Sequence, residues 1–185
     1  MTCVIGLVAD SRVYIGVDSA AVAGWTRRVT EVKKVFRRGP FLIGYTTSFR
    51  MGQLLEHHLE VPQQPAGMAD MTFMVTTFVE SVRKLFKDKG FAKVESNSES
   101  GGQFLVGYQG SLYAVESDFQ VQQQADGFDA IGSGSDYALG AMAVLGDVAP
   151  QTRIKRSLGA AARFNMGVCA PFYVRSVAAP KSRGR

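Results

Sequence analysis

The sequence predicts a layered α+β domain, on three observations. Its apolar segments of strand length come in hairpins with short turns. Its helical segments are grouped apart from those hairpins instead of alternating with single strands, which argues against repeated βαβ units. Finally, 185 residues with 46% hydrophobic and 20% charged residues suffice for one well-buried core. With no internal repeat or linker, residues 1–178 are expected to form a single domain, followed by a basic tail at 179–185.

The first hairpin is expected at residues 3–9 and 12–18, turning at Asp10-Ser11. Residues 19–32 are mixed in character and predict a loop with short extended pieces. A second hairpin follows, from Lys34-Val-Phe-Arg through the Arg38-Gly39-Pro40 turn to Phe41-Leu-Ile-Gly-Tyr-Thr. Ser48 can cap a helix running to His57, with Met51, Leu54 and Leu55 on one face. A longer helix is expected over Asp70–Lys87, where Phe73, Met74, Phe78, Val82, Leu85 and Phe86 recur at helical spacing. Residues 88–102 are polar and predict an exposed loop. A third hairpin spans Phe104–Tyr108 and Leu112–Val115, and Val121–Gln124 reads as edge strand or loop. The strand Phe128–Ile131, helices at Asp136–Leu145 and Pro150–Phe164, and a last strand over Ala170–Val177 complete the domain.

Bulk properties narrow the function classes. No apolar run approaches the ~20 residues of a membrane span, and the opening lacks the basic segment of a secretory leader, so a cytoplasmic protein is expected. Cys3 and Cys169 are far apart and read as free thiols, and no Cys/His cluster has metal-ligand spacing, so neither cofactor nor metal is expected. The net charge is +5, with Lys181, Arg183 and Arg185 in the tail. A tail of this kind could touch nucleic acid, but a solvated end is the favoured reading. His57 and His58, the only histidines, close a surface helix and are not candidate catalysts.

The opening strand carries the chemistry. Met1 precedes a small residue and is expected to be removed, which would leave a free amine and a hydroxyl together on Thr2. An α-amine of pKa ~7.7–8.0 can act as a base near neutrality, and a threonine activated by its own amine is a nucleophile. Taken alone, Thr2 reads first as an ordinary second residue at a frayed end.

Three further motifs accompany it: Gly-Val-Asp18-Ser, Lys-Lys34-Val-Phe, and Gly132-Ser133-Gly134-Ser135 leading into Tyr137-Ala-Leu-Gly-Ala-Met. Together they resemble the proteasome β-subunit family of N-terminal nucleophile (Ntn) hydrolases, including HslV-type ring peptidases and the short proteasome-like proteins of bacteria and phages. The resemblance runs from Thr2 to about Val177 and implies a four-layer αββα sandwich with Thr2 at one end of the cleft between the sheets. It implies a threonine peptidase that cuts a peptide or unfolded-protein substrate, assembled as a homo-oligomeric ring and served by an ATP-driven unfoldase.

The resemblance also assigns roles. The Lys34 ammonium would lower the pKa of the Thr2 amine, and Asp18 would hold Lys34 charged and in place. Separately, Asp18 and Lys34 would read as an ion pair between strands. Gly44 matches the glycine whose N–H stabilises the oxyanion, or else marks a strand-end bulge. Ser133 would relay the proton of the Thr2 amine, or else cap a helix, as Ser135 could. Ala21, Val32, Leu42 and Thr46 would line an uncharged specificity pocket for a small or apolar residue. The chain departs from the family where an Asp and a Ser are usual: it has Asn165 and Val168, and Asn165 accepts hydrogen bonds but brings no charge. Two other readings use the same fold: a catalytically weak scaffold subunit, which Asn165 favours, and an amidase acting on a small amide.

Overall fold

A two-residue turn at Asp10 and Ser11, with φ of 51° and 55°, joins β1 (Val4–Ala9) to β2 (Arg12–Val17). Both turn residues sit in the left-handed region, the geometry that matches the twist of an antiparallel hairpin. The computed structural model of the chain describes residues 1–179; the basic tail beyond Ala179 lies outside the described residues. Residues 19–32 contain a mostly exposed ribbon, β3 (Ala20–Ala23) and β4 (Thr26–Val29). Next come β5 (Val35–Arg38), β6 (Phe41–Tyr45) and α1 (Phe49–His58), where the Arg50 N–H donates to the Ser48 hydroxyl at 3.1 Å and caps the helix.

The next helical stretch is not uniform. The short α2 (Asp70–Phe73) passes through a π-helical turn at Met74–Phe78 into α3 (Val79–Asp88). Where a plain loop was expected over 88–102, a small hairpin forms from β7 (Lys93–Glu95) and β8 (Ser98–Ser100), turning on Ser96 and Asn97 with positive φ. The chain continues through β9 (Phe104–Tyr108), β10 (Ser111–Val115), β11 (Val121–Gln122) and β12 (Phe128–Ile131). It ends with α4 (Ser135–Val144), α5 (Pro150–Phe164) and β13 (Tyr173–Ala178). The last strand starts at Tyr173 instead of Ala170, because its pairing to β2 begins with Tyr173 opposite Val17. Among the described residues, no helix is long and apolar enough to cross a membrane.

Two larger sheets result, ordered β12-β1-β2-β13 and β11-β10-β9-β6-β5. Strand alternation decides what each face meets. Val4, Val13, Ile15 and Val17 on the first sheet share one buried cluster with Val35, Leu42, Leu105 and Leu112 on the second. The opposite parity of β1 and β2, Ile5, Leu7 and Tyr14, packs with Met142, Ile154 and Leu158 of α4 and α5. On the second sheet Phe41, Ile43, Tyr45 and Phe104 pack with Leu54, Phe78, Val82 and Phe86.

Glycines let the two sheets approach. A Cβ at Gly44 would lie 2.5 Å from Ile15 Cγ2 and 2.8 Å from Val4 Cγ1, and one at Gly107 would lie 2.9 Å from Val13 Cγ1. Gly44→Ala is therefore expected to overpack the inter-sheet core and cost about 1–3 kcal/mol, lowering Tm by several degrees. Thermal unfolding followed by circular dichroism checks this; an unchanged Tm would contradict the tight contact.

Candidate active site

Antiparallel pairing carries five strand ends to one edge of the packed sheets: the start of β1, the ends of β2, β6 and β12, and the start of β5. Thr2, Asp18, Lys34, Thr46 and Gly132-Ser133 lie at those ends, so residues remote in sequence meet there.

Asp18 is the hub. Its Oδ1 accepts from Thr2 Oγ1 at 2.9 Å, from the Cys3 N–H at 3.0 Å and from Lys34 Nζ at 2.9 Å. Its Oδ2 accepts from the N–H of Ala20 at 2.7 Å and of Cys169 at 3.4 Å. Lys34 Nζ also donates to Thr2 Oγ1. Thr2, Asp18 and Lys34 are each 2% exposed or less, so the carboxylate and ammonium have left water and must satisfy one another. Burial pushes the Lys34 pKa down, and the adjoining Asp18 charge opposes that shift. Burial likewise pushes the Cys3 thiol up to about 12, with Asp18 adding to the effect, which leaves it neutral.

The Thr2 nitrogen faces the other way. It donates to Ser133 Oγ at 3.2 Å. Gly132 makes this approach possible: at φ +94°, with its Cβ position 2.5 Å from the Thr2 carbonyl oxygen, only glycine fits. That carbonyl accepts from the Gly134 N–H at 3.2 Å. Ser133 Oγ donates to Asn165 Oδ1 at 3.2 Å, and Asn165 Nδ2 returns a bond to the Ser133 carbonyl at 2.5 Å. Neither Ser133 nor Ser135 caps α4, whose N-cap is Gly134. Val168 is fully buried among the apolar residues beneath α5.

A cleft opens beside Thr2, walled by Lys34, Tyr45, Thr46, Thr47, Ser48 and Phe49, with Met1 at its rim. Thr47 is its unusual wall. Its φ is +69°, a left-handed conformation that a β-branched residue adopts only when held there. Its side-chain oxygen accepts from the Gln103 N–H at 3.2 Å, and its own N–H has no protein acceptor among the described residues. Phe49 lies with its ring centroid 5.9 Å from Lys34 Nζ.

Of the residues predicted from sequence, the structure brings together Thr2, Asp18, Lys34, Ser133, Asn165 and Thr46. It places Gly44 elsewhere. Gly44, next to last in β6, lies between Val35 and Leu105, and because the Thr46 N–H bonds the Gln103 carbonyl just before β9, alternation turns the Gly44 N–H toward β9 as well. Leu42 shares that parity and is buried between the sheets, not in the cleft. Ala21 is half-buried on the β3–β4 ribbon, and Val32 is 44% exposed in the loop before β5; neither walls the cleft. Sequence reasoning missed Thr47 and Phe49. The cap at Ser48 marked the segment, but nothing local announces a left-handed threonine. Among the described residues no group of His, Cys, Asp and Glu could hold a metal ion.

Chemically, the arrangement presents a hydroxyl held between an ammonium and a carboxylate, a nitrogen on the same residue with its own hydrogen-bond partner, and an unpartnered backbone donor across a cleft. With Met1 removed, such groups can serve as a nucleophile, a base and an anion site.

No protein-family model matches the sequence, and no curated protein matches it either. Solved structures do. Thiobacillus denitrificans BPH in complex with epoxomicin is 22% identical, with a TM-score of 0.79 over 96% of this chain and 98% of that one. The eukaryotic HslV of Trypanosoma brucei is 16% identical at a TM-score of 0.67, over 95% of this chain and 99% of that one. Anbu (ancestral beta-subunit) from Yersinia bercovieri is 16% identical at a TM-score of 0.64, over 96% of this chain and 82% of that one. The likeness is one of fold: the chain has the mixed α/β Ntn-hydrolase fold of these proteasome-like structures.

Proposed function

We propose that the chain is an N-terminal threonine peptidase acting on peptide or unfolded-protein substrates. The observation that carries this reading is the buried contact of Thr2 Oγ1 with both Lys34 Nζ and Asp18, with the Thr2 nitrogen bonded to Ser133 on the opposite side. Removal of Met1 frees the amine. The amine then takes the Oγ1 proton as that oxygen attacks a carbonyl carbon, and returns a proton to the leaving amine. Water hydrolyses the resulting ester by the same route in reverse. Lys34 keeps positive charge beside the amine and the oxygen nucleophile, favouring the neutral base.

The unpartnered N–H of Thr47, not that of Gly44, is the donor suited to the developing oxyanion; such a donor contributes about 3–4 kcal/mol. A small or apolar residue ahead of the scissile bond fits a cleft whose only charged wall among the described residues is Lys34. The three apolar clusters support a four-layer αββα order, with α4 and α5 outside one sheet and α1 and α3 outside the other. The same reading extends to a homo-oligomeric ring in the cytoplasm, fed by an ATP-driven unfoldase.

Hydrolysis of a fluorogenic peptide panel by the protein lacking Met1 tests the reading. Thr2→Ala is expected to remove turnover by at least about 10³-fold while leaving Tm within a few degrees. Turnover equal to that of the unsubstituted protein would overturn it. Lys34→Ala should abolish turnover and also destabilise the fold by about 3–5 kcal/mol, because it strands the Asp18 carboxylate in the interior. Chemical denaturation measures that second loss, and a change under 1 kcal/mol would contradict the buried pair.

A further inference from the structure

Away from the Asp18–Lys34 pair, the Thr2 nitrogen is met by neutral groups, Ser133 and behind it Asn165. Asn165 follows the last residue of α5 and uses both ends of its amide. Its Oδ1 accepts from the Gly167 N–H at 2.8 Å and from the Ser133 hydroxyl at 3.2 Å, and its Nδ2 donates to the Ser133 carbonyl at 2.5 Å. A hydroxyl has one proton. Ser133 has two acceptors within reach of that proton, Asn165 Oδ1 at 3.2 Å and the Thr2 carbonyl at 3.4 Å, and either one leaves a lone pair facing the Thr2 nitrogen at 3.2 Å. A carboxylate could accept the same two donors, but its second oxygen would stand against the Ser133 carbonyl where Nδ2 now donates. The position is therefore shaped for an amide.

The charges around the Thr2 nitrogen are few. From β2, Asp18 is neutralised by Lys34 at the start of β5. Cys3 on β1 and Cys169 before β13 are thiols that burial keeps protonated. From β4, Arg27 reaches the Met166 carbonyl at 3.3 Å. Asp136 in the first turn of α4 and Arg163 in the last turn of α5 are exposed to solvent. No unmatched anion touches the nitrogen among the described residues.

We infer that Asn165 is a positioning residue that fixes Ser133 through an uncharged amide clamp, and so keeps the Thr2 amine neutral and able to act as a base at lower pH than a carboxylate in its place would allow. The inference rests on the reading of Thr2 as nucleophile with its amine as base. The sign follows from elementary electrostatics. A negative charge two hydrogen bonds from the amine favours the ammonium, so the amine must reach higher pH before it can accept a proton.

The test uses protein confirmed by mass to begin at Thr2, with Asn165→Asp and Asn165→Ala beside it. Competitive labelling of the α-amine with acetic anhydride across pH, read on the N-terminal peptide by mass spectrometry, gives the amine midpoint without recourse to turnover. The acid limb of kcat/KM on a fluorogenic peptide gives it a second time. Asn165→Asp is expected to move both midpoints up by about one pH unit, and 0.5 M KCl should reverse part of the shift. Asn165→Ala is expected to lower kcat several-fold at the plateau, with KM and the amine midpoint little changed. Equal amine midpoints in the unsubstituted protein and Asn165→Asp would overturn the inference, as would an upward shift in Asn165→Ala matching that of Asn165→Asp. Absence of turnover in the unsubstituted protein would sink the nucleophile reading instead, while the labelling midpoints still decide the role of Asn165.

Discussion

A carboxylate and an ammonium held out of water set the terms for the rest of this molecule. Asp18 stands just past β2 in one sheet and Lys34 just before β5 in the other, so their contact at 2.9 Å ties the two sheets together at one edge. Burial of such a pair is tolerated only when the remaining lone pairs and protons find partners. Asp18 finds them in the backbone N–H groups of Cys3, Ala20 and Cys169, which fixes the start of β1, the exit from β2 and the approach to β13 in one arrangement. The Thr2 hydroxyl completes the set. Thr2 is thereby buried and tied by its hydroxyl to both charged groups.

This constraint separates two halves of the site. On the hydroxyl side the groups are charged and buried, and the threonine oxygen lies between them. On the nitrogen side they are neutral and nearer to solvent, with Gly132 allowing Ser133 to come close and Asn165 holding Ser133 in turn. Across the cleft, Thr47 offers a backbone donor from a left-handed conformation stabilised by its bond with Gln103. The Ntn-hydrolase fold shared with BPH, HslV and Anbu structures supplies the frame at 16–22% identity. Within this chain, the case for chemistry rests on the contacts of its own residues.

Much of the frame was legible because alternation is a strong signal where both faces of a strand are buried. Ile5 and Leu7 turn to the helices while Val4 turns to the other sheet, and the pattern in Val4-Ile-Gly-Leu says as much. The convergence of Thr2, Asp18, Lys34, Ser133 and Asn165 followed from their places at strand and helix ends. Parity also explains the misplacements. Gly44 and Leu42 sit on the inward face of β6, and a match along the sequence does not reveal which face a residue takes. Thr47 carried no signal because its conformation is imposed by contacts with Gly102 and Gln103, more than fifty residues away. The β7–β8 hairpin escaped notice because its strands are too short and polar to alternate visibly.

The central claim is that Thr2 carries a competent nucleophile and base on one residue. Intact mass of the purified protein tests it most directly, recorded before and after exposure to an electrophile that needs both the amine and the hydroxyl of an N-terminal threonine. The account predicts loss of Met1 followed by a single covalent adduct that is absent in Thr2→Ala. A chain that loses Met1 yet gains no adduct, or one that gains it equally in Thr2→Ala, would contradict the account.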